Sequence, residues 1–280
     1  MVSRVGYIGL GNMGKPIAAN LVKAGFDVMV YDLRETPMNE LAQAGAKVAR
    51  SAREVGAHGE VVGLSVVDDA QVEEAVLGRD GVLAGAKPGS IITLHSTIHP
   101  KTVKKVGAAC REQGVHVLDA QVSGGQRGAK GGKLTFMVGG DKELFEKCRP
   151  VFAASGTNIF YMGGLGTGAA TKLAQQVIVC INRLSAYEGM KLAEKAGVDL
   201  KALQAVVHTT GAQSRIVDGW LQKYSRITDT DSTSAQGLAH LFWKGLCPAL
   251  ELGHELGLSM PATALVQQLF SRILGLEEEK

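Results

Sequence analysis

The sequence predicts a doubly wound α/β domain with a parallel sheet, followed by an all-α domain. Short apolar runs alternate with helix-period segments as far as residue 163. A glycine-rich turn follows, and from residue 169 onward only helical periodicity continues. We therefore predict a first domain over residues 1–163 and a second, helical domain over residues 164–280.

The composition is typical of a soluble globular protein. Of the 280 residues, 45% are hydrophobic and 20% are charged, which is enough for two domains with their own cores. The net charge of +3 is too small to indicate nucleic-acid binding, and there is no basic block.

The cysteine pattern and the absence of long apolar runs point to a cytoplasmic protein without a membrane segment. The four cysteines lie far apart and no histidine stands at ligand spacing, so we expect reduced thiols and no metal site. No stretch resembles a signal peptide or a run of about 18 apolar residues that would span a bilayer.

The first predicted strand, over residues 5–8, leads directly into a Gly-x-Gly-x-x-Gly turn. A helical pattern follows as far as Gly25, and a second strand over residues 28–31 ends at Asp32. This order is the dinucleotide-binding fingerprint of Rossmann-type domains, although such a turn can also be purely structural. The glycines allow a pyrophosphate to approach the N–H groups at the helix start. The predicted cofactor contacts in this turn are Gly9, Leu10, Gly11, Asn12, Met13 and Gly14.

Asp32 lies about twenty residues after the turn, where an acid accepts hydrogen bonds from the adenosine ribose. Its carboxylate would repel a 2′-phosphate, so we expect NAD as the cofactor. Arg34, just beyond Leu33, could instead pair with that phosphate, which keeps NADP as the alternative. We include Asp32, Leu33 and Arg34 in the predicted cofactor site.

The alternation of strands and helices continues, and it predicts where the ligand site lies. Ligands of a doubly wound sheet bind off the carboxyl ends of its strands, so we expect Leu64, Ser65, Thr97 and Ser123 near that edge. Each of them alone could equally be an ordinary loop residue. Further strands are predicted over 61–67, 90–94, 115–119, 131–140 and 158–161, and helices over 51–55, 72–83, 101–113, 144–152, 169–196, 200–209, 214–222, 236–256 and 262–274.

Lys172 is in an unusual position, on one face of the first turns of the long helix together with Gln176. The helix dipole disfavours a cation there, and a buried ammonium needs partners. Unless the side chain simply reaches solvent, this placement indicates a functional lysine. A serine followed by two glycines, Ser123-Gly124-Gly125, could offer a hydroxyl and N–H groups to an anion.

Four motifs in order resemble those of the β-hydroxyacid dehydrogenase family. They are GYIGLGNMG at 6–14, DAQVSGG at 119–125, GGKLTFMVGG at 131–140, and GTG at 166–168 leading to Lys172. The resemblance covers nearly the whole chain and implies oxidation of a small hydroxy acid, or the reverse reduction, as homodimer or homotetramer.

The resemblance also implies individual roles. Lys172 would be the general acid/base; partial burial or a positive field lowers the pKa of such a lysine, and we expect the helix start to supply that field. Ser123, Gly124 and Gly125 would bind the substrate carboxylate, with Gln176 at the substrate hydroxyl. Contacts to the cofactor would come from Leu64, Ser65, Thr97 and Lys244.

The chain departs from the family pattern at three positions. Gln121 replaces a proline, Gln176 replaces an asparagine as in the threonate dehydrogenase branch, and Gly245 replaces an aspartate. Two other readings remain: an imine reductase, a class that generally lacks the lysine, and a nucleotide-binding module without catalysis.

Overall fold

The computed structural model describes residues 2–221 and 232–273, with the backbone alone for residues 232–242 and 244. Contacts divide the chain into two compact units, Met1–Lys172 and Leu173–Lys280. The first unit is a doubly wound α/β domain and the described part of the second is helical, which confirms the predicted fold class.

The first unit is built on one eight-stranded sheet with the order β3-β2-β1-β4-β5-β6-β7-β8. All neighbouring strands are parallel except β6 and β7, which pair antiparallel. The sequence did not predict this reversal. The strands are β1 (Arg4–Ile8), β2 (Asp27–Tyr31), β3 (Lys47–Val48), β4 (Val61–Leu64), β5 (Ile91–Leu94), β6 (His116–Ser123), β7 (Leu134–Gly139) and β8 (Gly156–Gly163).

Helices cover both faces of this sheet, because side chains on alternate strand positions point to opposite faces. Along β6, Leu118 and Ala120 join one apolar cluster, whereas Val117 joins the other. The helices are α1 (Gly14–Lys23), α2 (Glu35–Gln43), α3 (Ala52–His58), α4 (Asp69–Leu77), α5 (Pro100–Glu112), α6 (Gly125–Lys130) and α7 (Lys142–Ala153), with a 3₁₀ turn at Val82–Ala84.

The long helix α8 (Thr167–Lys195) carries the chain from the first unit into the second. It is followed by α9 (Leu200–His208), α10 (Arg215–Asp218), α11 (Ser232–Glu255) and α12 (Pro261–Ile273). The apolar clusters of this unit are small; one contains Cys180, Leu246, Val266 and Phe270. Within the described ranges, no helix is both long and apolar enough to cross a membrane.

Several predicted elements differ from the structure. The helix predicted over 72–83 begins earlier, because the Asp68 side chain accepts a hydrogen bond from Gln71 N, and α4 then ends before Gly78. The helix predicted over 214–222 is shorter, since α10 covers Arg215–Asp218, and residue 222 lies outside the described residues. Sequence reasoning missed α2, which is largely polar, and α6, which has only six residues.

Candidate active site

The glycine turn between β1 and α1 has one position where a side chain would meet only open space. Gly9 has a φ of +82° and Gly14 lies directly against the Gly9 carbonyl, so packing within the chain explains both glycines. A Cβ on Gly11 would instead meet no atom within 4 Å. That space suits an approaching ligand group.

The adjoining helix end and cleft fit a dinucleotide. The positive N-terminal end of α1 adjoins the glycine loop, and no side chain caps it. An anion is favoured at such a helix end. A cleft of about 720 Å³ is lined in part by Gly11, Asn12 and Arg34. The chemistry of this region therefore matches a pyrophosphate and its adjacent ribose.

Asp32 follows β2 and is held in place by donor groups of Leu10 and Arg34. Its carboxylate accepts hydrogen bonds from Leu10 N at 2.6 Å, from Arg34 N at 2.9 Å and from Arg34 Nε at 3.0 Å. Burial alone would raise the pKa of Asp32, but the guanidinium and the N–H groups outweigh it and hold the pKa below its usual value. Leu33 is 89% exposed, so it contributes no packing here.

The predicted contacts at and just beyond the carboxyl ends of β4 and β5 differ in their burial and their hydrogen bonds. Leu64 is fully buried in the core, so only its main chain could touch a cofactor. The Ser65 hydroxyl lies 2.8 Å from the Tyr7 hydroxyl, and the neighbouring Ser96 hydroxyl bonds both backbone groups of Val66. Thr97 is half-buried just beyond them.

The carboxyl end of β6 offers a polar surface. Ser123 is its last residue, and Gly124 and Gly125 follow with φ values of +130° and +61°. A Cβ on Gly125 would meet nothing within 4 Å. Two residues earlier, Gln121 is fully buried and donates from Nε2 to Leu94 O at 3.2 Å, while its Oε1 has no hydrogen-bond partner among the described residues.

Lys172 is buried, with 8% of its surface exposed, so the structure excludes a lysine that simply reaches solvent. It lies one turn after Gly168, which packs against backbone atoms of β6 and β7. A Cβ on Gly168 would lie 2.6 Å from Met137 O and 2.9 Å from Gly139 N. The missing side chain therefore allows the start of α8 to sit directly on the sheet.

Asp119 anchors the same helix start, and sequence reasoning had quoted it only as part of a motif. Its carboxylate accepts hydrogen bonds from Gly166 N at 2.9 Å and Ala169 N at 2.7 Å. Burial raises the pKa of Asp119, although these N–H groups act in the opposite direction. An ionised Asp119 would offset the positive end of α8. An acid inside a buried strand was the available signal.

Two further predicted residues belong to the second unit. Gln176 is half-buried on α8, and its Nε2 lies close to the backbone of Gly245 on α11. Lys244 precedes Gly245 on α11, but its side chain lies outside what the structure describes.

Two family models match the chain. Residues 4–163 match the NAD binding domain of 6-phosphogluconate dehydrogenase. Residues 166–279 match the NAD-binding model of NADP-dependent 3-hydroxyisobutyrate dehydrogenase. The chain belongs to the β-hydroxyacid dehydrogenase family.

Relatives of this β-hydroxyacid dehydrogenase align over almost the whole chain. It is 33% identical to 2-(hydroxymethyl)glutarate dehydrogenase of Eubacterium barkeri, covering 99% of this chain and 91% of the relative. It is 36% identical to NAD-dependent L-serine dehydrogenase of Pseudomonas aeruginosa, covering 98% and 93%. The solved structure of Mycobacterium tuberculosis 3-hydroxyisobutyrate dehydrogenase with L-serine superposes with a TM-score of 0.86 at 28% identity, covering 98% and 94%.

The imine reductase alternative is more distant. The structure of the enzyme from Pseudomonas sp. has a TM-score of 0.64 at 20% identity, a likeness of fold alone. The β-hydroxyacid dehydrogenase is therefore an oxidoreductase that acts on the CH–OH group of a small hydroxy acid, and its cofactor is a nicotinamide adenine dinucleotide, NAD or NADP.

Proposed function

We propose that this dehydrogenase oxidises the primary alcohol of substrates of the form HOCH₂–CH(R)–COO⁻ to the aldehyde, with Lys172 as the general base. The names of its relatives support this substrate class. 2-(Hydroxymethyl)glutarate, L-serine and 3-hydroxyisobutyrate all contain this unit and differ in R. 2-Hydroxy-3-oxopropionate, the substrate of an Escherichia coli reductase 35% identical to this chain, is the aldehyde form with a hydroxyl as R.

The proposed reaction divides the work between cofactor and protein. A bound nicotinamide would supply the acceptor for the hydride of the alcohol carbon. Lys172 in its neutral form takes the alcohol proton, so the products are the aldehyde, the reduced cofactor and an ammonium. In this proposal Ser123, Gly124 and Gly125 bind the carboxylate, Gln176 contacts the substrate and Lys244 contacts the cofactor. The turn from Gly9 to Gly14, Asp32–Arg34, Leu64, Ser65 and Thr97 hold the cofactor.

The observation that carries this proposal is the burial of Lys172 at a helix start that is fastened to the sheet through Asp119 and Gly168. Burying an ammonium costs free energy unless it is paired or hydrogen-bonded, so a buried lysine at a helix start is typical of a functional residue. The fixed helix start gives the backbone of that lysine one position relative to the sheet.

A Lys172→Ala variant tests the proposed base. We expect turnover to fall by about 10²- to 10⁴-fold, which is the usual contribution of a general acid/base. Binding of NADH, followed by its fluorescence, should stay unchanged because the cofactor residues are intact. Lys195→Ala, at the exposed end of the same helix, is the matched control. Unchanged turnover in Lys172→Ala would remove this residue from the mechanism.

The identity of R and the cofactor preference are tested by one screen. We propose NAD rather than NADP, because Leu10 N holds the Asp32 carboxylate at the glycine loop, where the carboxylate would repel a 2′-phosphate. Hydroxyisobutyrate, glycerate, L-serine and 2-(hydroxymethyl)glutarate should be assayed with each cofactor at alkaline pH, where oxidation is favoured. A substrate lacking the primary alcohol, such as 2-hydroxybutyrate, serves as the negative control.

We further propose that the enzyme works in the cytoplasm as a homodimer or homotetramer. Large apolar side chains of the second unit are exposed in the single chain, including Ile178 at 60% and Leu192 at 72% on α8. Helix α9 has no buried residue. A second copy of the chain would cover such surface.

A further inference from the structure

Gly245 and Gln176 are in direct contact within the second unit. A Cβ built on Gly245 would lie 2.9 Å from Nε2 of Gln176, and the next nearest atoms, at 3.7 and 3.8 Å, also belong to Gln176. Contacts as short as 2.9 Å do not occur for real Cβ atoms. Any side chain at position 245 must therefore displace the Gln176 amide.

These two residues are also the two departures from the family pattern that lie in the second unit. The sequence presents them as unrelated, because they are 69 positions apart. The structure joins them: glutamine is one methylene longer than asparagine, and its amide reaches the α11 backbone. An aspartate at 245 would occupy the same space. One replacement thus makes room for the other.

We infer that Gln176 and Gly245 act as one specificity-determining pair, in which the bare α11 backbone sets where the Gln176 amide meets the R group of the substrate. The inference rests on the proposed function, which places Gln176 at the substrate. A glutamine amide has both donors and an acceptor, and no carboxylate stands at 245 to repel an anion. The pair therefore favours R groups with hydrogen-bonding oxygens, a hydroxyl or a carboxylate, over methyl.

The steric consequence of Gly245→Ala falls on the far end of a flexible side chain rather than on backbone. Alanine is also the better helix former, so the variant should fold at least as well as the wild type. A change in specificity then reports on the position of the Gln176 amide and not on stability. Gly189→Ala, on α8, is the matched control, because a Cβ there meets nothing within 4 Å.

The test is a double-mutant cycle with Gly245→Ala, Gln176→Asn and the double variant, in the full-length enzyme. The quantity measured is the ratio of kcat/KM for glycerate to that for hydroxyisobutyrate. We expect each single variant to lower this ratio by about tenfold, which corresponds to roughly 1.4 kcal/mol. The double variant should be no worse than Gln176→Asn, because the shorter amide no longer reaches residue 245.

Additive effects of the two substitutions, or an unchanged ratio in Gly245→Ala, would overturn the inference. Gly189→Ala should leave the ratio as in the wild type, although alanine, as the better helix former, should raise the melting temperature slightly. Failure of the proposed function gives a different result: Lys172→Ala would then keep its turnover, whatever the behaviour of the pair.

Discussion

Asp32 is the side chain that we propose to govern cofactor choice, because its carboxylate is shared between the glycine loop and Arg34. Arg34 pairs with Asp32 in this structure, at 3.0 Å from Nε to Oδ1. Arg34 is therefore paired with the same Asp32 carboxylate that would repel a 2′-phosphate. Removing the acid would release a guanidinium that suits bidentate phosphate binding.

We predict that Asp32→Ser reverses the preference for NAD. The kcat/KM with NAD should fall by about tenfold and that with NADP should rise by a similar factor, each equivalent to roughly 1.4 kcal/mol. Steady-state assays with both cofactors measure the change, with Asp80→Ser at an exposed position as control. A variant that still discriminates against NADP as the wild type does would show that Asp32 does not set the preference.

At the level of elements, the start of α8 lies directly against the sheet. Gly139 and Gly168 allow this approach together: a Cβ on Gly139 would lie 2.8 Å from Gly168 N and 2.5 Å from Asp119 Oδ1. Backbone atoms cannot move aside as a flexible side chain can. The position of Lys172 thus depends on two residues that have no side chain.

We predict that Gly168→Ala destabilises the protein and lowers activity together. Overpacking at such a site costs about 1–3 kcal/mol. The shift of α8 that relieves it would also move Lys172, so kcat should fall more than KM changes. Denaturant unfolding and steady-state kinetics measure the two effects. Gly164→Ala, where a Cβ meets no atom within 4 Å, should change neither.

At the level of the whole molecule, pH stability depends on a buried histidine in the first unit. His95 lies among Tyr7, Phe136 and Phe152, with Nδ1 at 2.7 Å from Ala120 O and Nε2 at 3.1 Å from Thr93 Oγ1. Burial lowers the pKa of His95 to about 4. The folded protein therefore holds a neutral imidazole at every pH above that value.

The direction in which the unfolding free energy changes with pH follows from the difference in proton binding between the folded and unfolded states. In the unfolded chain the pKa is about 6.5, so as pH falls from about 6.5 to 4 the unfolded state binds a proton that the folded state does not. Stability from this group is fully present above about pH 6.5 and is lost as pH falls to about 4. We predict that His95→Gln flattens this part of the curve of unfolding free energy against pH. An equally steep curve in the variant would contradict the prediction.

The second prediction for the whole molecule concerns its oligomeric state, which light scattering measures. We predict a dimer or tetramer at working concentration, because exposed apolar residues such as Leu192 and Leu256 would otherwise contact water. Replacing both with Glu should weaken the assembly, whereas replacing the exposed Glu194 with Gln should not. A stable monomer of the wild type would refute it.

Local patterns in the sequence were sufficient for the fold class, for seven of the eight strands of the sheet, and for the turn at Gly9–Gly14; the two-residue strand β3 was missed. Each depends on residues that are close in sequence, whose periodicity and glycine spacing can be recognised without knowing any long-range contact. The special position of Lys172 was visible for the same reason, since a cation near a helix start conflicts with a local rule.

Contacts between distant residues could not be read in this way. The reversal of β7 against β6, the bond from Gly166 N to Asp119 across 47 positions, and the contact of Gly245 with Gln176 arise only when the chain is folded. Such contacts depend on which backbones approach one another, and a glycine that permits close approach looks in sequence like any other. Three-dimensional packing therefore sets how the lysine is held and how the Gln176 amide is placed.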